Sequence, residues 1–374
     1  MRNAFDPIVI QLIEATVNRR DAEPTVSFGR SLDGTRDILI ASASELTDLL
    51  GIVPAAKALR RRYPLSRVHV LASGLCIDAL AAREEVAEVI PWDDTAPLAS
   101  RATWDLVRRI RSRSFDMAIA TTCATPLPRL WVGLAEAKLR VGPSTSGSDR
   151  LLNLVIQSAP ARDGAAAGLS FLSFLGIDPK ELTPGWDVTQ ADRDYARRLL
   201  NLRRRGNDGW LLGVDPARGR DGQRPAPDRL AWVVDRIVEH RGAAPILVTA
   251  EATNGCIEEF RRCLKSDPMV VPTRGLRDAL ALARVCRMFV GPDTDLFRFA
   301  RALHVPSLGL FQTPTAADAD ARCEVVEWRS GDRVRETDVL NRVDRLLRRS
   351  VVELPLRLLL GGDGSAASEC VQRA

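Results

Sequence analysis

Asp48 is an acid placed where an apolar strand gives way to a helix: it follows I-L-I-A at 38–41 and opens the helical run Leu49 to Arg62. In an open α/β sheet, ligands bind in the crevice beyond the carboxyl ends of the strands. A carboxylate there, within about 3 Å of a hydroxyl, can remove its proton as a general base. It can equally be an acidic helix-start residue favoured by the helix dipole. A second turn of this kind, P-D-T-D at 292–295, follows the apolar Met288 to Val290 and opens the run Leu296 to Leu303. Arg298 there can clamp a phosphate bidentately, or it can pair with Asp295 at the i, i+3 spacing of a helix surface. Between these turns the loop D-P-A-R-G-R-D-G-Q-R-P-A-P, 215–227, follows the strand Trp210 to Val214. Its Arg218, Arg220 and Arg224 suit phosphate geometry, and they also fit a solvated basic loop.

The elements that must position these groups alternate. Strands are expected at Ile38 to Ala41, Val68 to Ala72, Val86 to Pro91, Met117 to Thr121 and Leu139 to Val141, with helices such as Leu49 to Arg62 and Trp104 to Arg113 between them. After a polar interval, Asp178 to Asp187, the alternation resumes. Strands Trp210 to Val214, Ile246 to Thr249, Met269 to Val271, Met288 to Val290 and Ser307 to Phe311 are spaced by helices that include Asp228 to His240 and Leu276 to Arg287. Leu230, Val233, Val234 and Ile237 give the first of these helices one apolar face. Strands and helices in this rhythm predict parallel, doubly wound α/β sheets. The expected organisation is an extension at 1–35, one Rossmann-like domain at 36–180, a second at 188–350 and a tail at 351–374.

A chain of 374 residues exceeds what one core serves, in keeping with two domains. Lys and Arg number 53 against 48 Asp and Glu, a net charge of +5 that favours anionic small molecules or a membrane surface but is too weak to indicate nucleic acid. Seven cysteines in an odd set, without metal-ligand spacing, indicate a reduced interior and no metal site. The three histidines, His69, His240 and His304, form no catalytic pattern, and His69 lies in a strand as a core or edge residue. No P-loop, G-x-S-x-G or G-x-G-x-x-G occurs. No stretch reaches the roughly 18 apolar residues of a membrane span, although the basic run R-A-T-W-D-L-V-R-R-I-R-S-R at 101–113 could meet an anionic membrane as readily as form a solvated face.

The segment from 36 to 64 resembles the opening of the heptosyltransferases of glycosyltransferase family 9, in which a strand leads to L-G-D, then Pro, then a helix ending R-R-x-Y-P. Leu46, Thr47, Asp48, Pro54, Tyr63 and Pro64 follow that pattern, with Thr47 in the glycine position. Residues 288–315 resemble the same family's D-T-G-x-x-H turn, A-x-A-L-G-x-P helix and F-G-x-T strand through Asp293, Thr294, Ala302, Leu303, Pro306, Phe311 and Thr315. Asp295 stands where the family has glycine and Arg298 where it has histidine. The family's K-x-W-P loses its tryptophan, and Gln223 or Arg224 falls near its lysine.

The resemblance implies a GT-B fold, two Rossmann-like domains facing a central cleft. It implies an inverting, metal-independent glycosyltransferase that moves a heptose or related sugar from a nucleotide-diphosphate donor, ADP-heptose first among them, to a lipopolysaccharide or another glycan acceptor. No cofactor is implied. Asp48 would be the base, and Asp293, Thr294, Arg298, Arg218, Arg220, Arg224 and Thr315 would surround the donor, whose diphosphate would meet a helix N-terminus. The expected setting is the cytoplasm, with peripheral contact at the inner membrane. The alternative is a non-catalytic GT-B protein with an altered donor site, acting as a binding or scaffolding protein. Asp295 for glycine, Arg298 for histidine and the lost K-x-W-P favour it, Asp295 through charge, since two unit charges about 4 Å apart repel by roughly 4 kcal/mol at an effective dielectric near 20.

Overall fold

The protein is described by a computed structural model at residues 32, 34–41, 46–81, 83–93, 95–97, 99–121, 127–144, 151–156, 164–183, 185–201, 209–217, 219, 227–249, 254–271, 273, 275–312, 314, 319–328 and 335–350. The amino-terminal extension to residue 31, the tail from 351, and Arg218, Arg220, Gln223, Arg224 and Thr315 lie outside the described residues.

Two six-stranded sheets form the molecule. The first orders its strands β3-β2-β1-β4-β5-β6, with β1 (Asp37–Ala41), β2 (Arg67–Ala72), β3 (Glu88–Pro91), β4 (Met117–Ala120), β5 (Leu139–Pro143) and β6 (Leu154–Ile156). The second repeats that order as β9-β8-β7-β10-β11-β12, with β7 (Trp210–Val214), β8 (Ala243–Leu247), β9 (Met269–Val270), β10 (Met288–Gly291), β11 (Ser307–Phe311) and β12 (Cys323–Glu327). Both are parallel throughout the pairs described. In each sheet the winding reverses between its first and fourth strands, β1 and β4 or β7 and β10. These are the topological switch points at which doubly wound sheets bind ligands.

The apolar pattern explains the layers. Along β1, Ile38 and Ile40 face one buried cluster while Leu39 and Ala41 face another, the two-residue period of a strand covered on both sides. Phe289 of β10 joins the first cluster, and Met288 and Val290 face away from it. That first cluster is continuous from Ile38 through Leu172 of the 3₁₀ segment Gly164–Leu175 to Phe289 and Phe297. The two sheets therefore share a buried seam.

The helix Leu49–Arg62 contains Pro54. Proline has no N–H, so the carbonyl four residues earlier, that of Leu50, loses its helical donor. The N–H of Gly185 fills that place at 2.9 Å and ties the connecting segment to the first half. Arg62 adds a bond from Nε to the Leu175 carbonyl at 3.1 Å.

Some elements differ from the sequence expectation. The strand expected at Ile246 to Thr249 begins at Ala243, the one expected from Val86 begins at Glu88, the helices Leu75–Ala81 and Leu127–Leu134 fill intervals of the expected alternation, and the strands β6 and β12 lie outside it. Gly74, at φ +52, supplies the left-handed turn from which Leu75–Ala81 departs.

Candidate functional site

The second crevice, between the ends of β7 and β10, is built around a residue the sequence reading did not single out. Asp215 directly follows β7 and is 1% exposed. The Thr294 hydroxyl donates to its Oδ2 at 2.6 Å, and the Ala217 N–H donates to Oδ1 at 3.0 Å. Thr294 also caps the helix Asp295–Ala302, its Oγ1 accepting from the Phe297 N–H at 3.0 Å. Gly291 admits this packing, because a Cβ there would lie 3.2 Å from both the Cβ and the carbonyl oxygen of Asp215. Burial pushes the Asp215 carboxyl up to about 6, aided by the nearby charge of Asp295 and opposed by the bonds from Thr294 and Ala217. An acid directly after a strand at a switch point was a sequence signal for this residue.

Asp293 and Arg298 form a bidentate pair, Nε to Oδ1 at 2.7 Å and Nη2 to Oδ2 at 2.8 Å. The guanidinium thus meets Asp293, a partner that the helical spacing toward Asp295 does not indicate. The extended conformation of the Thr294 cap, φ −98 and ψ 166, lets Asp293 reach five residues along the chain. At this helix start the structure brings together Asp293, Thr294 and Arg298 with Asp215 and Asp295.

In the first crevice, Asp48 ends the 3₁₀ turn Leu46–Asp48 and occupies the N-cap position of Leu49–Arg62 without capping it by its side chain. It is 2% exposed. The turn packs against the helix Asp295–Ala302, so the two candidate regions adjoin across the seam. Trp186 stacks edge-on against Phe299 at 5.2 Å, and Arg83 lies 4.6 Å over the Trp186 ring while its Nη1 donates to the Asp187 carbonyl.

Other singled-out residues stand apart from these crevices. His69 is buried with its ring nitrogens 3.2 Å from Glu88 and 3.1 Å from Asp37, near the amino-terminal edge of the first sheet. In the basic stretch, helical over Arg101–Arg111, Trp104 is 54% exposed, while Arg109 and Arg113 reach Glu88 and Arg111 reaches Glu136. Cys256 and Cys263 share the helix Asn254–Cys263. Among the described residues, no group of three or more His, Cys, Asp or Glu is placed to hold a metal, and no helix is long and apolar enough to cross a membrane.

No family model and no curated protein matches the chain. Solved structures do. A glycosyltransferase of family 9 from Veillonella parvula superposes with a TM-score of 0.70 at 15% identity, over 84% of this chain and 97% of that one. The Escherichia coli ADP-heptose lipopolysaccharide heptosyltransferase II gives 0.63 at 18% identity, over 84% and 99%. The E. coli heptosyltransferase WaaC with ADP-2-deoxy-2-fluoro heptose gives 0.60 at 16% identity, over 83% and 99%. The fold is therefore the heptosyltransferase-like α/β fold with two parallel sheets that the sequence resemblance implied.

Proposed function

We propose that the protein is a glycosyltransferase that takes a sugar from a nucleotide diphosphate, with ADP-heptose as the leading donor and lipopolysaccharide or another glycan as acceptor. The observation that carries this reading is the contact between the Asp48 turn and the helix opened by Asp293 and Thr294. It brings the turn that carries Asp48 against the helix that Thr294 caps. In a fold shared with heptosyltransferases, that is the pair of parts glycosyl transfer needs.

The chemistry is an inverting displacement. The acceptor oxygen attacks the anomeric carbon from the face opposite the diphosphate, the bond from that carbon to the phosphate oxygen breaks, and its electron pair leaves with the nucleotide diphosphate. Asp48 accepts the hydroxyl proton. Thr294 and Arg298 bind the diphosphate, offsetting its charge together with the helix N-terminus, so that no metal is needed. Asp48 is 2% exposed, so an acceptor reaches it in this reading only when the segments around it move. The protein works in the cytoplasm, and the arginine-flanked Trp104 rests on an anionic membrane surface.

Calorimetric titration with ADP-heptose, UDP-sugars and GDP-sugars tests this reading. Binding of one donor, followed by release of its nucleotide diphosphate when acceptor is added, supports it. A second reading, a non-catalytic binding protein, is favoured by the commitment of Arg298 to Asp293 and of the Thr294 hydroxyl to Asp215. Silence toward every donor between about pH 5.5 and about pH 8, a range that spans the Asp215 titration, would establish it instead.

A further inference from the structure

The Thr294 hydroxyl has one proton, and in this structure it goes to Asp215 Oδ2 at 2.6 Å. The Thr294 oxygen meanwhile accepts from the Phe297 N–H. While Asp215 is ionised, the cap residue therefore has no proton to offer a phosphate, and a buried negative charge sits beside the helix start that would receive one. A hydroxyl oxygen can accept two hydrogen bonds and donate one. If Asp215 carries a proton, its O–H donates to Thr294 Oγ1, and the threonine proton is turned toward the crevice. Protonation thus removes a repulsive charge and creates a donor in one step.

We propose that Asp215 belongs to the donor-diphosphate site and that diphosphate binding there is coupled to uptake of one proton by its carboxylate, through reversal of the Asp215–Thr294 hydrogen bond. The inference rests on the reading of the protein as a nucleotide-sugar enzyme. The balance is simple: one proton passes from solvent to Asp215, no covalent bond other than this O–H forms, and none breaks.

The surroundings fit this assignment. Gly291, on the neighbouring strand, contributes no side chain, and the following residues Pro216 and Ala217 carry no charge. The next strand over is followed by Val248 and Thr249, also uncharged. From the helix start, the charge of Asp295 disfavours a second negative charge on Asp215, whereas Asp293 and Arg298 neutralise each other. Arg218, Arg220 and Arg224 of the loop after Asp215 lie outside the described residues. A purely structural Asx turn would use the same Ala217 bond, but it would give ligand binding no dependence on pH.

The experiment is calorimetric titration of the full chain with ADP-heptose, whose diphosphate is esterified at both ends and does not itself titrate near neutrality. Above the Asp215 pKa of about 6, the Kd should rise about tenfold per pH unit. Asp215→Asn keeps the shape and the bond to Thr294 without the charge. Its Kd should vary little with pH and be about tenfold or more tighter than that of the unmodified protein near pH 7.5. A second measurement needs no variant: heats in two buffers of different ionisation enthalpy at about pH 7.5 should report close to one proton taken up per ligand bound. Binding that is independent of pH with no proton uptake, or an Asp215→Asn protein with the same pH slope as the original, overturns the inference and leaves the enzyme reading intact. Failure of both proteins to bind at any pH overturns the enzyme reading itself and this inference with it.

Discussion

Arg298 holds Asp293 through two parallel hydrogen bonds of 2.7 and 2.8 Å, and both side chains remain partly exposed, at 25% and 30%. A pair in that setting stabilises the fold weakly, because water screens it. Its guanidinium can therefore be shared with or transferred to an incoming phosphate at little structural cost. Arg298→Ala should lower nucleotide-diphosphate affinity by tenfold to a hundredfold, the range of a lost charge-assisted bond of about 1.5–3 kcal/mol. Thermal stability should change by less than about 1 kcal/mol. Titration calorimetry and a melting curve on the same sample separate the two effects, and an unchanged donor affinity would remove Arg298 from the site.

Asp295→Gly tests the opposite sign. Asp295 is the first residue of its helix, where a negative charge is favoured by the dipole by about 0.3–1 kcal/mol. The same charge repels a diphosphate approaching that end. Glycine should therefore tighten diphosphate binding while lowering the melting temperature. A variant that loses stability and gains no affinity would show that this turn does not meet phosphate.

Much of this arrangement was legible in the sequence. Apolar runs bounded by turn residues marked Trp210–Val214 and Ser307–Phe311, and the helix Leu49–Arg62, at the limits the structure shows. The first half of β8 is A-A-P, and proline argues against a strand, so its start is hidden in the sequence. The structure shows why it is tolerated: β9 pairs only with Ile246 and Leu247, so Pro245 has no neighbour on that side in need of its missing N–H. Strands β6 and β12 are edge strands, with too little periodicity to stand out. At the candidate site, helical spacing suggested Asp295 for Arg298, but a partner across an extended cap, Asp293, lies outside that rule. The place of Asp215 depends on Thr294, 79 residues away, a proximity that only the strand order creates.

Asp48→Asn tests the proposed base. The substitution keeps size and burial while removing a proton acceptor, and general-base catalysis contributes about 10²–10⁴ in rate. Turnover should fall by that factor with donor affinity nearly unchanged, since Asp48 lies in the half that the proposed function gives to the acceptor. A full-speed Asp48→Asn enzyme would assign the proton to another group.

Asp215 also makes stability depend on pH, with a sign opposite to that of most native carboxylates. Its folded pKa of about 6 exceeds the ordinary 3.8, so the folded state binds more protons across that interval. The stabilisation is full below about 3.8 and is lost as pH rises through about 6. The shift corresponds to about 3 kcal/mol. Asp37 and Glu88 act in the other direction: burial raises both, but bonds from Arg67 and His69 to Asp37, and from Arg109 and His69 to Glu88, hold their pKa values below the ordinary range. The comparison is therefore made between the protein and Asp215→Asn by denaturant unfolding. The variant's relative stability should grow between about pH 4 and about pH 6 and stay level above. A gap that does not change with pH would mean that Asp215 titrates in the folded protein as it does in the unfolded chain.

His304 carries a cost that a single substitution can relieve. The helix Asp295–Ala302 ends through Leu303, after which the Val305 N–H returns to the Ala300 carbonyl at 3.0 Å and the His304 N–H to Arg301 at 2.8 Å. This closure puts His304 at φ +61, in the left-handed region. A residue with a Cβ is disfavoured there by roughly 1–2 kcal/mol, whereas glycine enters without that penalty. The A-x-A-L-G-x-P pattern that this segment otherwise follows has glycine at the same place. His304→Gly gives back part of the gain through the greater freedom of glycine in the unfolded chain, so the net stabilisation should be about 1 kcal/mol. Since the exposed His304 lies at the far end of the helix from Thr294, donor affinity should not change. A lower melting temperature for His304→Gly would show that the imidazole contributes more to this helix end than its backbone conformation costs.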